Sequence, residues 1–309
     1  MSHQQVSIDP VMKSAIPQEP TEIRWMRNCL THWPFRHGKG VLLRVFEPRL
    51  RRRDFLIEIE PGILIPPELD DWIVLSYFTN GCEHNPPFQL SRALIRRDDT
   101  LMDVGANIGL WAMGAALRVG PAGSVHAFEP VPNNFIRMER NLALNGLKQV
   151  TSRQLALSDD VGHTVFYAAT ADNSGIGSLT QGDNANRPIE IDMTTIDNYC
   201  ETNSIPHVDL IKVDVEGAEQ LVFRGARRLL ASPEAPVIMF ETDETLTGRF
   251  GSSSRSVKAD LAEHGYSFFR YDGKKLEQVL VEEAHHDQED LFAFKPFHFE
   301  KHPLLRKLN

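Results

Sequence analysis

The chain has 309 residues, of which 41% are hydrophobic and 24% are charged, and its formal net charge is −9. A chain of this kind can bury a full core, and its acidic balance argues against a nucleic-acid partner, because nucleic-acid-binding proteins display basic faces that collect phosphates. The three cysteines, Cys29, Cys82 and Cys200, have neither paired nor metal-ligand spacing, so we expect reduced thiols.

The N-terminal twenty residues are polar and contain three prolines, which is typical of a loose arm. They lack the apolar stretch of a signal peptide, and no apolar run of about 18 residues occurs anywhere in the chain. These features predict a soluble, cytoplasmic protein that has no membrane partner.

Residues 1–98 are expected to form this arm and a small α+β cap. The sequence predicts strands over 41–46 and 55–60, and the second strand has a regular apolar and polar alternation. Helices are expected over 67–79, where a proline stands at the start, and over 86–97. The main domain is expected to follow the cap.

The segment Thr100-Leu-Met-Asp103-Val-Gly105-Ala-Asn107-Ile-Gly109 is an apolar strand that leads into a turn of small residues and then into an amphipathic helix. Its glycines permit a positive φ and a close approach to a ligand, and the free N–H groups of the helix point at the bound group. Tight packing alone is the alternative role for these glycines. Asp103 argues against a dinucleotide, because its carboxylate would repel a pyrophosphate. An acid suits the ammonium of S-adenosylmethionine (SAM), a nucleoside that also carries a sulfonium.

Residues 124–129, Ser-Val-His-Ala-Phe-Glu, form a second predicted strand that ends in an acid. The acid lies about one βαβ step beyond the first turn, where a carboxylate can accept hydrogen bonds from both ribose hydroxyls. Capping of the next helix is the alternative role for Glu129. Together with Asp103, Glu129 predicts a nucleoside site.

Strands and helices alternate regularly after the motif, which predicts a parallel sheet in an α/β fold. An insertion over 162–192 interrupts the alternation, and its loop, 170–187, has the composition of a mobile flap. The expected strands are 100–104, 124–129, 150–156, 164–168, 188–193, 208–213, 236–241, 266–271 and 290–295. The expected helices are 108–119, 132–145, 218–230 and 254–264.

Ligands of such sheets bind outside the carboxyl ends of the strands, where every candidate residue lies. We expect Asp103 and the turn from Gly105 to Gly109 to face the methionine part of SAM, with Asn107 as a side-chain donor. Ser158 and Asp159 are expected at the adenine edge, with one backbone N–H as a donor. The complete set of candidate cofactor-binding residues is Asp103, Gly105, Ala106, Asn107, Gly109, Glu129, Ser158, Asp159 and Asp214.

Five segments together resemble the FkbM-type family of SAM-dependent methyltransferases. They are Asp103-Val-Gly-Ala-Asn-Ile-Gly109, Phe128-Glu-Pro-Val-Pro-Asn133, Asn141-Leu-Ala-Leu-Asn145, Ala156-Leu-Ser-Asp159 and Val208-Asp-Leu-Ile-Lys-Val-Asp-Val-Glu-Gly-Ala-Glu219. The resemblance implies a Rossmann-like class I methyltransferase sheet with an N-terminal α+β cap, and often O-methylation of sugars or natural products. We accordingly expect a SAM-binding methyltransferase domain over 99–299 and a C-terminal tail over 300–309.

A hydroxyl acceptor must lose its proton during methyl transfer, and a base with a pKa near the working pH assists this loss. The candidate catalytic residues are His84, Asp214, which ends the fourth strand where the methyl group must point, and Glu241. His84 follows Cys82-Glu83, where the family tends to have a Tyr-Glu pair, and a lone loop histidine is commonly just solvated. The missing tyrosine puts any role for Glu83 in doubt.

The carboxylates at this edge of the sheet have two alternative roles, in metal binding and at a helix N-terminus. Asp214, Glu241 and Asp243 end neighbouring strands and could hold Mg²⁺, but we do not favour a divalent metal and predict no metal ligands. Glu216 and Glu219 stand near the first turn of a helix, where the helix dipole favours acids in any protein.

These observations predict a SAM-dependent methyltransferase, with a small hydroxylated acceptor such as a sugar or natural product. N-methylation of an amine or peptide is the alternative within enzymes, and a non-catalytic SAM-binding or nucleotide-binding partner protein is the alternative outside them. An NAD-linked oxidoreductase is less favoured, because its pyrophosphate would meet Asp103. The acceptor pocket is expected between the cap and the 170–187 loop, and a homo-oligomer is compatible with the sequence.

Overall fold

The computed structural model describes residues 19–33, 43, 45, 55–69, 71–81, 85–168, 177–178 and 187–309. Predictions for His84 and for most of the 170–187 loop therefore lie outside the described residues. Within the strand expected over 41–46, Leu43 and Val45 are helical, so the strand prediction is wrong at these two positions. A short apolar run does not distinguish a strand from a helix.

The N-terminal part combines helices with a two-stranded antiparallel sheet. Its elements are α1 (Thr21–Thr31), β1 (Ile57–Glu60), β2 (Ile63–Ile65), α2 (Trp72–Asn80) and α3 (Pro86–Leu94). Helix α2 begins later than its proline suggests, because the Asp71 side chain caps it by accepting hydrogen bonds from the N–H groups of Ile73 and Val74 at 2.8 and 3.3 Å. The early helix α1 was not predicted.

The remaining elements follow the expected alternation, with several short elements that were not predicted and with the helix expected over 218–230 divided in two. They are β3 (Thr100–Val104), α4 (Leu110–Val119), β4 (Ser124–Phe128), α5 (Pro132–Asn145), β5 (Val150–Arg153), β6 (Ala156–Leu157), β7 (Gly162–Ala168), β8 (Gly177–Ser178), β9 (Arg187–Thr194), α6 (Ile196–Thr202), β10 (Leu210–Val213), α7 (Glu219–Arg224), α8 (Arg227–Ala231), β11 (Val237–Thr242), α9 (Glu244–Gly248), α10 (Ser254–Glu263), β12 (Ser267–Tyr271), β13 (Leu276–Val279), β14 (Glu289–Phe294), α11 (Pro296–Lys301) and α12 (Pro303–Leu308).

The central sheet has eight strands in the order β13, β12, β14, β11, β10, β3, β4, β5. The five strands from β11 to β5 are parallel to one another, and β14 runs antiparallel to β11 and β12. This is an α/β, Rossmann-like sheet, as predicted. Strand order reverses between β3 and β10, and open α/β sheets bind ligands at the carboxyl ends of such a pair.

A second, four-stranded sheet has the order β6, β9, β7, β8. It contains the predicted insertion strands, which pair antiparallel from Gly162 opposite Met193 to Ala168 opposite Arg187. The strand expected over 150–156 is divided between the two sheets, because β5 pairs with β4 and β6 pairs with β9. The polypeptide thus leaves the central sheet immediately before the insertion.

Two hydrophobic clusters cover the two faces of the central sheet. The first joins the cap to α4, and it contains Ile57 and Phe78 of the cap, Trp111 of α4 and Leu305 of α12. Helix α4 is buried along almost its whole length, so it is not the amphipathic helix that the sequence predicted. A helix that is apolar on all sides lies between two layers, which here are the sheet and the cap. No helix within the described ranges is long and apolar enough to cross a membrane.

Candidate active site

A cleft of about 1300 Å³ opens where the carboxyl ends of the parallel strands meet the cap. Its floor is formed by residues at or near the carboxyl ends of β3, β4, β10 and β11 and by the start of the antiparallel β14, and another wall is formed by α2 and the start of α3. The floor residues used below are Gly105, Ala106, Asn107, Glu129, Lys212, Asp214, Glu216, Glu241 and Asp290. The cleft therefore lies at the carboxyl ends of the parallel strands, where the sequence predicted a ligand site, and it includes the strand-order reversal between β3 and β10.

The turn after β3 is held by backbone hydrogen bonds. The N–H groups of Gly105 and Ala106 both donate to the carbonyl of Phe128, at 3.0 and 2.9 Å. Asn107 follows with a φ of +51°, and its buried Oδ1 has no hydrogen-bond partner among the described residues. Because a buried amide oxygen without a partner is unfavourable, Asn107 is equipped to accept a hydrogen bond from a ligand in the cleft.

Glu129 lies at the end of β4 and is 5% exposed. Its two carboxyl oxygens accept hydrogen bonds from the N–H groups of Asn107 and Val131, at 2.8 and 2.9 Å, and the Asn134 side chain adds a third. Burial raises the pKa of this carboxyl to about 7 against the effect of those hydrogen bonds. A carboxylate has about four acceptor sites, so Glu129 keeps capacity for a further donor.

Asp103 is fully buried behind the turn and is not part of the cleft wall. Its Oδ1 lies 3.3 Å from the ammonium of Lys212, and its Oδ2 has no partner among the described residues. Burial raises the pKa of Asp103, and the Lys212 charge opposes that rise. The sequence predicted that Asp103 faces the methionine part of SAM. In the structure Lys212, which lines the cleft, stands between this carboxyl and the cleft.

Lys212 was not among the predicted site residues. Its ammonium lies 3.3 Å from Asp103, 3.2 Å from Asp214 Oδ2 and 3.4 Å from the carbonyl oxygen of Gly105. Burial alone lowers the pKa of Lys212, but the two carboxylates outweigh burial and hold that pKa above its ordinary value. A sequence signal existed, because a lysine within the fully buried strand Leu210-Ile-Lys-Val213 requires a charged partner.

Asp214, Glu216, Glu241 and Asp290 give the cleft a strongly acidic floor. Glu241 ends the buried strand β11 and is 8% exposed. Its Oε1 accepts a hydrogen bond from the Gln288 side chain, whereas its Oε2 has no partner within the described part of the chain. Burial, followed by the charges of Asp214 and Glu216, raises the pKa of Glu241 to about 10. Burial and Asp214 likewise raise the pKa of Glu216 to about 8.

These groups fit SAM. The free acceptor capacity of Glu129 suits a ribose hydroxyl, and the acidic floor suits a ligand that carries a sulfonium and an ammonium. Apolar side chains of Phe128, Leu157 and Ile191 line the same cleft and can cover a nucleobase. An NAD-type pyrophosphate would instead meet several carboxyls.

Comparison with known proteins decides the family. Residues 103–268, more than half of the chain, match the model of the methyltransferase FkbM domain. The chain belongs to the FkbM methyltransferase family. It is therefore a SAM-dependent methyltransferase, in agreement with the residues that line its cleft.

Three curated relatives illustrate the range of this family. Methyltransferase 1 of Beauveria bassiana is 26% identical over 193 residues, which are 56% of this chain and 72% of that protein. The 2-O-methyltransferase NoeI of Sinorhizobium fredii is 25% identical and covers 52% of this chain and 71% of its own length. The hexuronic acid methyltransferase AglP of Haloferax volcanii is 31% identical and covers 44% of this chain and 53% of its own.

Asp243 lines the cleft of this FkbM-family site, but one of its carboxyl oxygens is used within the protein. Its Oδ1 caps α9 by accepting hydrogen bonds from the N–H groups of Thr245 and Leu246, at 2.7 and 2.9 Å. Within the described ranges, no group of three or more His, Cys, Asp or Glu side chains is arranged to hold a metal ion. Asp214, Glu241 and Asp243 are thus not brought together as the Mg²⁺ alternative required.

Ser158 and Asp159 are not among the residues that line the cleft. The N–H of Ser158 donates to the carbonyl of Thr194 at 2.9 Å, so this backbone donor is already used within the protein. Residues 155–157 line the cleft immediately before them. A backbone contact to adenine is therefore left to Asp159, and it stays a prediction.

Glu219 has a role that the helix dipole does not explain. It is 1% exposed, and its Oε1 accepts hydrogen bonds from the N–H groups of Val215 and Gly217, at 3.3 and 3.1 Å. Those two hydrogen bonds shape the turn that follows Asp214, in which Glu216 has a φ of +55°. Glu219 thus positions the acids of the cleft floor from behind.

Proposed function

We propose that this protein transfers the methyl group of SAM to a hydroxyl oxygen on a sugar or another small natural product. The buried, unpartnered Oε2 of Glu241 in the cleft floor carries this proposal. A hydroxyl acceptor must give up a proton, and a neutral amine need not do so before it attacks, so a carboxyl acceptor of protons favours O-methylation. Relatives named as a 2-O-methyltransferase and a hexuronic acid methyltransferase support the same reading.

The chain's own residues divide the work. Glu129 and the turn from Gly105 to Gly109 bind the cofactor, and Asp214, held by Lys212, fixes the cleft floor beside them. Glu241 accepts the proton of the hydroxyl. SAM supplies an electrophilic methyl group, and holding donor and acceptor in line is worth roughly 7 to 11 kcal/mol. His84 remains a second predicted base outside the described residues.

The wall opposite the carboxyl floor supports a small, ring-shaped acceptor. Trp72 is 70% exposed and lines the cleft, together with the partly buried Tyr77 and Phe88 of the same wall. Exposed aromatic faces pack well against the apolar face of a sugar ring, while the acids opposite them hydrogen-bond its hydroxyls. The acidic net charge also favours a small molecule over a nucleic acid.

The direct test is transfer of an isotope-labelled methyl group. The purified protein is incubated with labelled SAM and a small-molecule extract of its own organism, and labelled products are separated and identified by mass spectrometry. We expect a methyl ether that is absent when Glu241→Gln replaces the natural protein. A methylated amine would support the N-methyltransferase alternative, and SAM binding without any labelled product would support a non-catalytic role.

A further inference from the structure

Glu241 and Asp290 stand directly opposite each other in the antiparallel ladder between β11 and β14. Directly opposed residues of neighbouring strands project to the same side of a sheet, with Cβ atoms about 4.5 to 5.5 Å apart. Both residues line the cleft. The sheet therefore presents a pair of carboxyls side by side to whatever the cleft binds. Asp290 was not among the predicted site residues.

Two charged carboxylates in this position repel each other, and a shared proton relieves the repulsion. The hydrogen bonds around the pair leave one carboxyl oxygen available for that proton. Gln288 donates to Oε1 of Glu241, the Asn85 side chain of the cap bonds to Asp290, and Oε2 of Glu241 is buried without a partner among the described residues. Oε2 of Glu241 can therefore carry the shared proton, and it becomes a free acceptor once that proton has left.

We propose that Glu241 and Asp290 form a carboxyl pair that keeps one proton in the ligand-free protein and releases it when a sulfonium cation enters the cleft. The same pair then takes the proton of the acceptor hydroxyl as methyl transfer removes the sulfonium charge. The second step rests on the proposed function, but the first does not.

The step balances in atoms and charge. The bond between the methyl carbon and sulfur breaks with its electron pair going to sulfur, and a lone pair of the acceptor oxygen forms the new bond to carbon. The O–H bond breaks, and its proton passes to Oε2 of Glu241. A sulfonium and a carboxylate thus become a neutral sulfide and a neutral acid, so the net charge of the cleft does not change.

The charged groups around the pair agree with this role. Burial, Asp214, Glu216 and Asp290 raise the pKa of Glu241 to about 10. Burial and Asp214 raise the pKa of Asp290 to about 7, although Lys212 and the Asn85 hydrogen bond oppose that rise. The acidic and basic side chains that line the cleft besides the pair are Glu129, Lys212, Asp214, Glu216, Asp243, Arg249, Arg270, Asp272 and Glu289. A cation added to this mainly acidic group favours loss of a proton.

The test measures the number of protons released when a ligand binds, and it does not require the methyl-accepting substrate. Calorimetric titrations with SAM and with its uncharged-sulfur product, S-adenosylhomocysteine, are run near neutral pH in buffers of different ionisation enthalpy. We expect SAM to release more protons than the product does, and Glu241→Gln to reduce this excess by about half to one proton per chain. The amino group of each ligand titrates alike with every variant, so the comparison between variants isolates the protein.

Two variants make the result specific. Glu216→Gln removes a neighbouring carboxyl of the same floor and should keep the part of the excess that Glu241→Gln removes, at a lower pH. Asp290→Asn should also move that part to lower pH, because Glu241 loses its like-charged neighbour. Circular dichroism and SAM affinity verify that each variant is folded. An equal excess in Glu241→Gln and the natural protein overturns the proposal, as does an excess that disappears in Glu216→Gln alone. Failure to methylate any hydroxyl would instead affect only the proposed function.

Discussion

The backbone carbonyl oxygen of Asp214 lies 1.8 Å from the position that a Cβ on Gly105 would occupy. Gly105 also has a φ of +78°, a conformation that side chains other than glycine rarely adopt. The first glycine of the motif thus makes room for the end of strand β10 itself. Gly109 is similar, because its absent Cβ would lie 2.9 Å from Cγ of Met138. Both glycines are therefore required for packing between neighbouring elements, whether or not the turn also binds a ligand.

Replacement of Gly105 by alanine should therefore destabilise the fold. We expect Gly105→Ala to lower the free energy of unfolding by about 3 kcal/mol, from the left-handed φ and the overlap with Asp214 together. Gly146→Ala is the matched control, since Gly146 has a φ of +65° but no atom within 4 Å of its Cβ position; it should lose only about 1 kcal/mol. Equal losses of unfolding free energy for the two variants in urea denaturation would show that the overlap with Asp214 does not contribute to the destabilisation.

Lys212 is expected to be essential for stability as well as for the site. Lys212→Met leaves the fully buried Asp103 carboxyl without its ion-pair partner, and loss of one member of a buried pair costs about 3 to 5 kcal/mol. The more exposed pair of Lys301 and Asp209, whose side chains are 30% and 13% exposed, provides a control, because Lys301→Met should cost less than about 1 kcal/mol. Addition of Asp103→Asn to Lys212→Met should recover part of the loss, and no recovery in urea denaturation would contradict this explanation.

Glu129 is expected to control SAM affinity. Its carboxyl is held by two backbone N–H groups and faces the cleft, so Glu129→Gln should weaken SAM binding by about 10- to 100-fold, the worth of a charge-assisted hydrogen bond. The same change at the exposed Glu263, outside the cleft, should leave the dissociation constant unaltered. Unchanged SAM affinity in calorimetry of Glu129→Gln would remove this residue from the cofactor site.

The order of strands and helices in the parallel half of the sheet was predictable, because each element there has its own apolar periodicity and its own turn residues. Strand β3 and helix α5 have the predicted bounds. The antiparallel strand β14 between β11 and β12 was not predictable, since strand order depends on tertiary packing that no local pattern encodes. Helix α7 ends at Gly225, where the carbonyl of Ser158 leaves no space for a side chain.

The candidate site was predictable to the level of strand ends. Glu129, Asn107, Asp214 and Glu241 all line one cleft, because carboxyl ends of parallel strands meet at one edge. Which carboxyl faces the ligand depends on side-chain orientation, so sequence reasoning placed Asp103 in the cleft rather than behind it. The pairing of Lys212 with Asp103 and of Asp290 with Glu241 joins neighbouring strands and follows only from the register.

Asn145 joins helix α5 to the cap through the backbone of Leu64. Its Oδ1 accepts a hydrogen bond from the N–H of Leu64 at 2.9 Å, and its Nδ2 donates to the Leu64 carbonyl at 2.7 Å. Asn145→Leu should leave both groups of β2 unpaired and cost about 2 kcal/mol. Hydrogen exchange at the Leu64 amide gives a local measurement. It should accelerate in the variant, whereas exchange at the β3 amides should not. Equal acceleration at both places would indicate general unfolding instead.

The buried acids predict how stability depends on pH. Burial raises the pKa of Glu129 and Glu219 to about 7 and that of Glu216 to about 8. A carboxyl with a raised folded-state pKa retains its proton in the folded chain at pH values where the unfolded chain has lost it, so its contribution to stability falls as pH rises. The partly buried His126 and the buried His298 have pKa values lowered to about 4. Their opposite effect is half complete at the unfolded histidine pKa of about 6.5 and fades over the next pH unit, and the raised carboxyls outnumber them.

The melting temperature of the ligand-free protein should therefore fall between about pH 6.5 and about pH 8, with each such acid contributing up to about 1.4 kcal/mol per pH unit. Calorimetric melting over a pH series measures this slope. Glu219→Gln keeps an acceptor for the N–H groups of Val215 and Gly217 but removes one titrating group, so it should flatten the slope. A melting temperature that rises through this interval, or a slope unchanged in Glu219→Gln, would mean that these carboxyls are already ionised in the folded chain.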